Sequence, residues 1–290
     1  MGERSLEVRF GPAGKPITYK GKTELIPKFL RELGLNAFEY QAVRSLKISE
    51  DKAKSLAKCA KDNDVLVSLH GPYAINLSSE KDEVRRASIE RLVKSAQIAQ
   101  WMDAYLVVFH PGYYGGLTPD AAVKAVIDSL KELVTRVETM NVKNVAFGVE
   151  TTGKVKQVGS ISEVIEICSR IGLCKPVLDF AHIHARGSGL MKSKEDFLMI
   201  FDFVERELGR DAISPAHIHF TEVEYGEGGE LRHHPLGSGF GPNFEYLAEA
   251  LIEQGISAVI ISESPILERD SLIMKRIYNN VLHKPRKARI

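Results

Sequence analysis

Short apolar runs and longer amphipathic stretches alternate along this chain with an even rhythm. Eight runs read as strands: "LEVRF", "AFEY", "VLVSLH", "AYLVVFH", "VAFGVE", "PVLD", "HIHF" and "AVIISE". Each is short, apolar and bounded by turn residues, the pattern of a buried strand. Between them apolar positions recur at helical spacing with start and stop signals. "TELIPKFLRELG" ends at Gly34, "TPDAAVKAVIDSLKELVTRV" opens on Thr118 and Pro119, and "SISEVIEICSRIG" ends at Gly172. "SKEDFLMIFDFVEREL" and "PNFEYLAEALIEQG" have the same form. Strand ends fall near residues 10, 40, 70, 110, 150, 179, 219 and 263, the spacing of one βα unit. Eight such units predict a (β/α)8 TIM barrel, residues 1–290 forming one domain with a short basic tail, "HKPRKARI". An open doubly wound sheet shares the alternation, but "FGPAGKP" after the first strand lacks the spacing of a dinucleotide-binding glycine fingerprint.

Composition narrows the class. No run of about 18 apolar residues offers a membrane span, and "MGERSLEVRF" lacks the apolar core of a secretory signal, so a cytoplasmic location is the default expectation. Cys59, Cys168 and Cys174 are too few and too scattered for a disulfide framework or a thiolate metal site, and they read as buried thiols. A formal net charge of +1 neither supports nor excludes a nucleic-acid partner, because phosphate binding depends on local clusters of Lys and Arg.

The polar residues at the strand ends carry the chemistry. His70, His110, Glu150, Asp179, His219 and Glu263 end six of the eight runs. A closed barrel brings these ends to one mouth, the face where barrel active sites form. His182, three residues after Asp179, and His233 in "GELRHHPLG" are within reach of the same place. Any one histidine at a strand end is ordinarily a hydrogen-bonded structural residue. The whole set is different: clustered carboxylates in an enclosed site need balancing cations, and neutral imidazole with carboxylate suits Zn2+ or Mn2+. The candidate ligands outnumber what one ion takes, which implies two or three ions.

Along essentially its whole length the chain resembles the endonuclease IV family of abasic-site endonucleases, within the xylose-isomerase-like barrel superfamily. The stretch "HIHFTEVEYGEGGE" is similar to the archaeal branch of that family. The resemblance implies that Asp179, His219 and Glu263 hold one ion, His70 and His110 a second, with Glu150 between the two, and His182 and His233 a third. It implies hydrolysis of double-stranded DNA on the 5′ side of an abasic site, with Glu150 and Glu263 as catalytic residues that orient or deprotonate water. Tyr73, in "HGPYAINL", matches a position where the family places an aromatic near DNA, the plainer alternative being a ring packed on its own loop. Arg186 and Arg232, with Lys154, Lys156, Lys192 and Lys194, lie in loops after the fifth to seventh strands as candidate phosphate contacts. A monomer is expected.

Two departures from the family pattern stand out. Its third ion usually takes an aspartate two residues before the histidine matching His233; that position is Leu231, and Glu230 is the alternative ligand. In the seventh strand His217 and His219 point the same way, and His219 is preferred because it sits at the strand end. His184 reads equally as a supporting partner or a loop residue, and His234 is not expected to be a ligand. The loop Thr221–Gly241 is long enough to suggest a function. A sugar or sugar-phosphate isomerase or epimerase is the alternative function, needing one ion on Glu150, Asp179, His219 and Glu263. His70, His110, His182 and His233 weigh against it, and a noncatalytic metal-binding protein is a third reading.

Overall fold

The computed structural model of the protein describes residues 6–42 and 46–284. Each of the eight apolar runs forms a parallel strand: Val8–Pro12 (β1), Ala37–Gln41 (β2), Leu66–His70 (β3), Leu106–Phe109 (β4), Ala146–Glu150 (β5), Cys174–Asp179 (β6), Ala216–Phe220 (β7) and Ala258–Ser262 (β8). Strands covered on both faces carry continuous apolar sequence, and Leu106–Phe109 is buried throughout. Hydrogen-bonded neighbours follow chain order from β2 to β8, and β8 pairs with β1. The remaining seam is joined by a parallel bridge between Ala13 and Glu39. Asn36 N–H donates to the Phe10 carbonyl (3.0 Å) and Gly14 N–H to the Glu39 carbonyl (2.8 Å). Gly11 permits this approach, since a Cβ there would lie 1.8 Å from the Ala37 carbonyl oxygen. The nearly closed sheet is an α/β TIM barrel.

Helices follow the strands as the punctuation predicts. Pro119–Thr139 starts where the Thr118 side chain accepts the Ala121 N–H, and Ile161–Arg170 starts at a capping box of Ser160 and Glu163. Two helices not singled out by such signals, Glu50–Asp62 and Asp82–Trp101, complete the second and third units. The main apolar core lies between the sheet and these helices. Inside the barrel the lower filling is small and apolar, Ala37 with Val259 and Ile261, and Leu106 with Val108 and Val177. Polar side chains take over toward the carboxyl ends. Among the described residues no helix is long and apolar enough to cross a membrane. The basic tail beyond Lys284 lies outside the described residues. The stretch from Thr221 to Gly241 is not an open loop: Glu222–Gly226 and Gly229–His234 pair as an antiparallel hairpin.

Candidate metal centre

The strand register assembles the mouth. Asp179 on β6 pairs directly with His219 on β7, while His110 and Glu263 fall one residue beyond β4 and β8. Glu150, fully buried, sits between two groups: its Oε2 is 3.1 Å from His70 Nε2 and 3.0 Å from His110 Nε2, and its Oε1 is 3.0 Å from His219 Nδ1. His219 Nδ1 is also 3.3 Å from Glu263 Oε1 and 4.0 Å from Asp179 Oδ2. In a third group His182 Nε2 lies 3.4 Å from Glu230 Oε2, and His233 Nε2 lies 3.4 Å from Glu230 Oε1. Each group, His70–His110–Glu150, Glu150–Asp179–His219–Glu263 and His182–Glu230–His233, presents its ligand atoms within 4.8 Å of one another.

Hydrogen-bond directions show that these groups fit cations. His70 Nδ1 faces the Gly71 carbonyl (2.9 Å), His182 Nδ1 the Thr151 carbonyl (2.8 Å) and His233 Nδ1 the Glu263 carbonyl (3.2 Å). A carbonyl only accepts, so each Nδ1 carries the proton and each Nε2 turns toward a carboxylate. In neutral imidazoles those Nε2 lone pairs would oppose the carboxylate oxygens, an arrangement that needs a proton or a cation between them. Two buried atoms in the mouth, Asp179 Oδ2 and His233 Nε2, have no hydrogen-bond partner at all. Burial opposes charge on His70, yet Glu150, with Glu39 and Glu263 beyond it, pushes the imidazole up to about 9. Burial likewise opposes ionisation of Glu230, but His182 and His233 hold its carboxyl down at about 2. A divalent ion satisfies the same atoms without protons, and the nitrogen and oxygen donors suit zinc or manganese.

Local chain features explain how these side chains converge. Asp179 caps the helix Phe180–Arg186, its Oδ1 accepting the His182 N–H at 2.7 Å, so Oδ2 is left for the mouth and His182 is held in the first turn. Glu230 and His233 are three apart on one strand, a spacing that would put them on opposite faces. A bulge corrects it: Tyr225 pairs with Glu230 and Glu224 with Arg232, which leaves Leu231 as the extra residue. Leu231 points outward, 64% exposed. The hairpin docks on the loop after β5, where Glu230 N–H donates to the Gly153 carbonyl (3.1 Å). A Cβ on Gly153 would sit 2.9 Å from both Glu230 Oε2 and His182 Cδ2, so only glycine allows this group to close.

The profile of the Xylose isomerase-like TIM barrel family matches residues 27–276. The chain belongs to that family. It is 35% identical over 280 residues to the uncharacterized protein MJ0133 of Methanocaldococcus jannaschii, covering 96% of this chain and 99% of the relative. It is 26% identical over 237 residues to a probable endonuclease 4 of Thermoplasma volcanium, covering 78% of this chain and 79% of the relative. Among solved structures, that of a D-tagatose 3-epimerase-like protein superposes with a TM-score of 0.72 at 21% identity, over 95% of this chain and 97% of that one. Sequence likeness thus reaches an endonuclease, and shape likeness a sugar epimerase, within one metal-associated barrel family.

Within this family barrel other residues fall differently from expectation. Glu39, in the second strand run, was counted at no strand end, yet its carboxylate is fully buried and meets His217 Nε2 and His219 Nε2, each at 3.1 Å. The signal was present: an acid inside an apolar strand, one residue short of where the apolar run stops. His217 faces Glu39 beneath the mouth and joins none of the three mouth groups. Arg186 is a correction: only 17% exposed, it donates to the Lys154 and Gln157 carbonyls (both 2.9 Å) and to Tyr114 Oη (2.8 Å). Its guanidinium ties the loop after β5 to its neighbours instead of facing outward. Arg232 is exposed and pairs with Glu224 (3.3 Å). Tyr73 is 64% exposed, its ring 6.2 Å from that of His70, so it overhangs the mouth and is not packed into its loop. His184 is buried against Tyr225, away from the mouth, and His234 stacks on Phe240.

Proposed function

We propose that the protein is a metal-dependent phosphodiesterase that cleaves double-stranded DNA 5′ to abasic sites, as endonuclease IV does. The observation that carries this reading is the number of ligand groups. A one-ion sugar isomerase or epimerase is served by Glu150, Asp179, His219 and Glu263, whereas this mouth adds His70 with His110, and His182 with Glu230 and His233. Bound ions would supply positive charge to both the attacking and the departing oxygen of an in-line displacement at phosphorus. The chain's own residues do the rest. Glu263, partly exposed at the mouth, is placed to accept a proton from water, and Glu150 holds two groups at a fixed separation. The cavity above them, about 340 Å³, is lined by Tyr73, Tyr113 and Lys154 among others: two rings to flank an extruded sugar and a cation to meet phosphate.

The test is nicking of a labelled duplex that contains one stable abasic-site analogue. Cleavage on the 5′ side by zinc-loaded protein is the expected result, with none after chelation. No cleavage by folded, metal-loaded protein, together with turnover of a ketose or sugar phosphate, would move the reading to epimerisation.

A further inference from the structure

His219 differs from the other mouth histidines: no backbone carbonyl fixes its tautomer. Its Nε2 instead faces Glu39, 3.1 Å from Oε1 and 3.3 Å from Oε2. Glu39 Oε2 also meets His217 Nε2 (3.1 Å) and Ser68 Oγ (2.9 Å), and its Oε1 meets Gln41 Nε2 (3.2 Å). An ionised carboxylate is acceptor-only with about four lone-pair sites, so all four neighbours must donate. That puts protons on Nε2 of both histidines. His217 Nδ1 is then an acceptor, and Tyr105 Oη, 2.5 Å away, donates to it. Every polar atom below the mouth is thereby satisfied, and the one lone pair left over is His219 Nδ1, aimed at Glu150 and Glu263.

We infer that Tyr105, His217 and Glu39 form a positioning chain through the barrel interior that pins the proton of His219 on Nε2 and presents Nδ1 to the metal centre. This rests on the reading of the mouth as a metal centre. The three residues touch no substrate; they act through His219. The carboxylate on the far side of a ligating imidazole orients the ring and raises its basicity, and loss of such a partner commonly weakens metal binding about 10–100-fold. The same three atoms, Glu39 Oε2, His217 Nε2 and His219 Nε2, lie close enough together to hold an ion themselves. The closed donor–acceptor count argues for hydrogen bonds there.

The experiment is chelator competition for zinc, with ion stoichiometry and the visible spectrum of the cobalt(II)-loaded protein, on the wild type, Glu39→Gln and Tyr105→Phe. Expected is an unchanged number of ions in the wild type and both variants. One ion should bind about 10–100-fold more weakly in Glu39→Gln and about 2–10-fold more weakly in Tyr105→Phe, with an altered cobalt spectrum in each. Tyr105→Phe keeps the ring, so it carries the test if Glu39→Gln does not fold. Equal affinities and spectra in wild type and variants would overturn the inference while leaving the metal centre standing. A wild type that holds no ion would overturn both. Loss of one whole ion in Glu39→Gln, with the others held at wild-type affinity, would overturn it in favour of a buried fourth metal site.

Discussion

At the scale of single residues, the carboxylate of Asp179 serves two partners at once, one oxygen capping a helix through the His182 N–H and the other unpartnered in the mouth. Substitutions can separate the two. Asp179→Asn keeps a capping oxygen and removes the charge, so it should melt close to the wild type yet lose DNA cleavage. Asp179→Ala should lose about 1 kcal/mol of stability in addition. Thermal melts beside nicking assays read both. Glu150→Gln should lower cleavage at least about 100-fold, more than the loss of a supporting partner costs, because Glu150 touches two ligand groups. A variant that is unstable yet fully active would contradict that role. Glu230→Ala should cost less than Asp179→Ala, since it strips only the outer group; equal losses would make the third group essential. Most of these residues are legible as acids and histidines at the ends of apolar runs. Glu39 is not, because an acid one position inside a strand looks like an outward-facing residue until the barrel closes around it.

Among the elements, the hairpin Glu222–Gly226 with Gly229–His234 shows how a departure from the family spacing is absorbed. The bulge at Leu231 lets a Glu three residues before His233 reach the place where the family pattern has an Asp two residues before. Leu231→Asp should therefore add no ligand: zinc stoichiometry and resistance to chelation should match the wild type. Tighter binding would mean that position 231 faces the mouth. Gly153→Ala should weaken the third ion, because the new methyl meets Glu230 and His182, overpacking that costs about 1–3 kcal/mol; metal content after dialysis measures it. Neither feature can be read from the local sequence. A bulge is defined by the partner strand, and the crowding at Gly153 by two residues from other elements.

For the whole molecule, metal and protons compete for one set of atoms. His70 is raised to about 9 in the ion-free protein, above an unfolded value near 6.5. Its contribution to stability is therefore fully present below pH 6.5 and is lost as pH rises through 9. Ion-free protein should lose melting temperature across that window. Zinc-loaded protein should show no such loss, because its ligands are already deprotonated and metal binding tightens as pH rises. Zinc at about 100 times its dissociation constant stabilises by about 2.7 kcal/mol, a rise of several degrees for a chain of this length. Melting curves at pH 6.5, 7.5 and 9 with zinc or chelator check both trends. Parallel curves would mean that the mouth holds protons only.

The alternation of eight apolar runs with helical segments, together with helix caps at Thr118 and Ser160, was enough to determine the barrel and the side of it on which the acids and histidines collect. Strand period and turn chemistry are local properties, and barrel closure follows from their repetition. Which atoms meet was decided only in three dimensions. The seam at Gly11, the bulge at Leu231, the inward turn of Glu39 and the internal use of Arg186 all depend on partners distant in sequence. Hydrogen-bond direction, and with it the nitrogen each histidine offers, is set by a carbonyl or carboxylate that the linear chain does not place beside it.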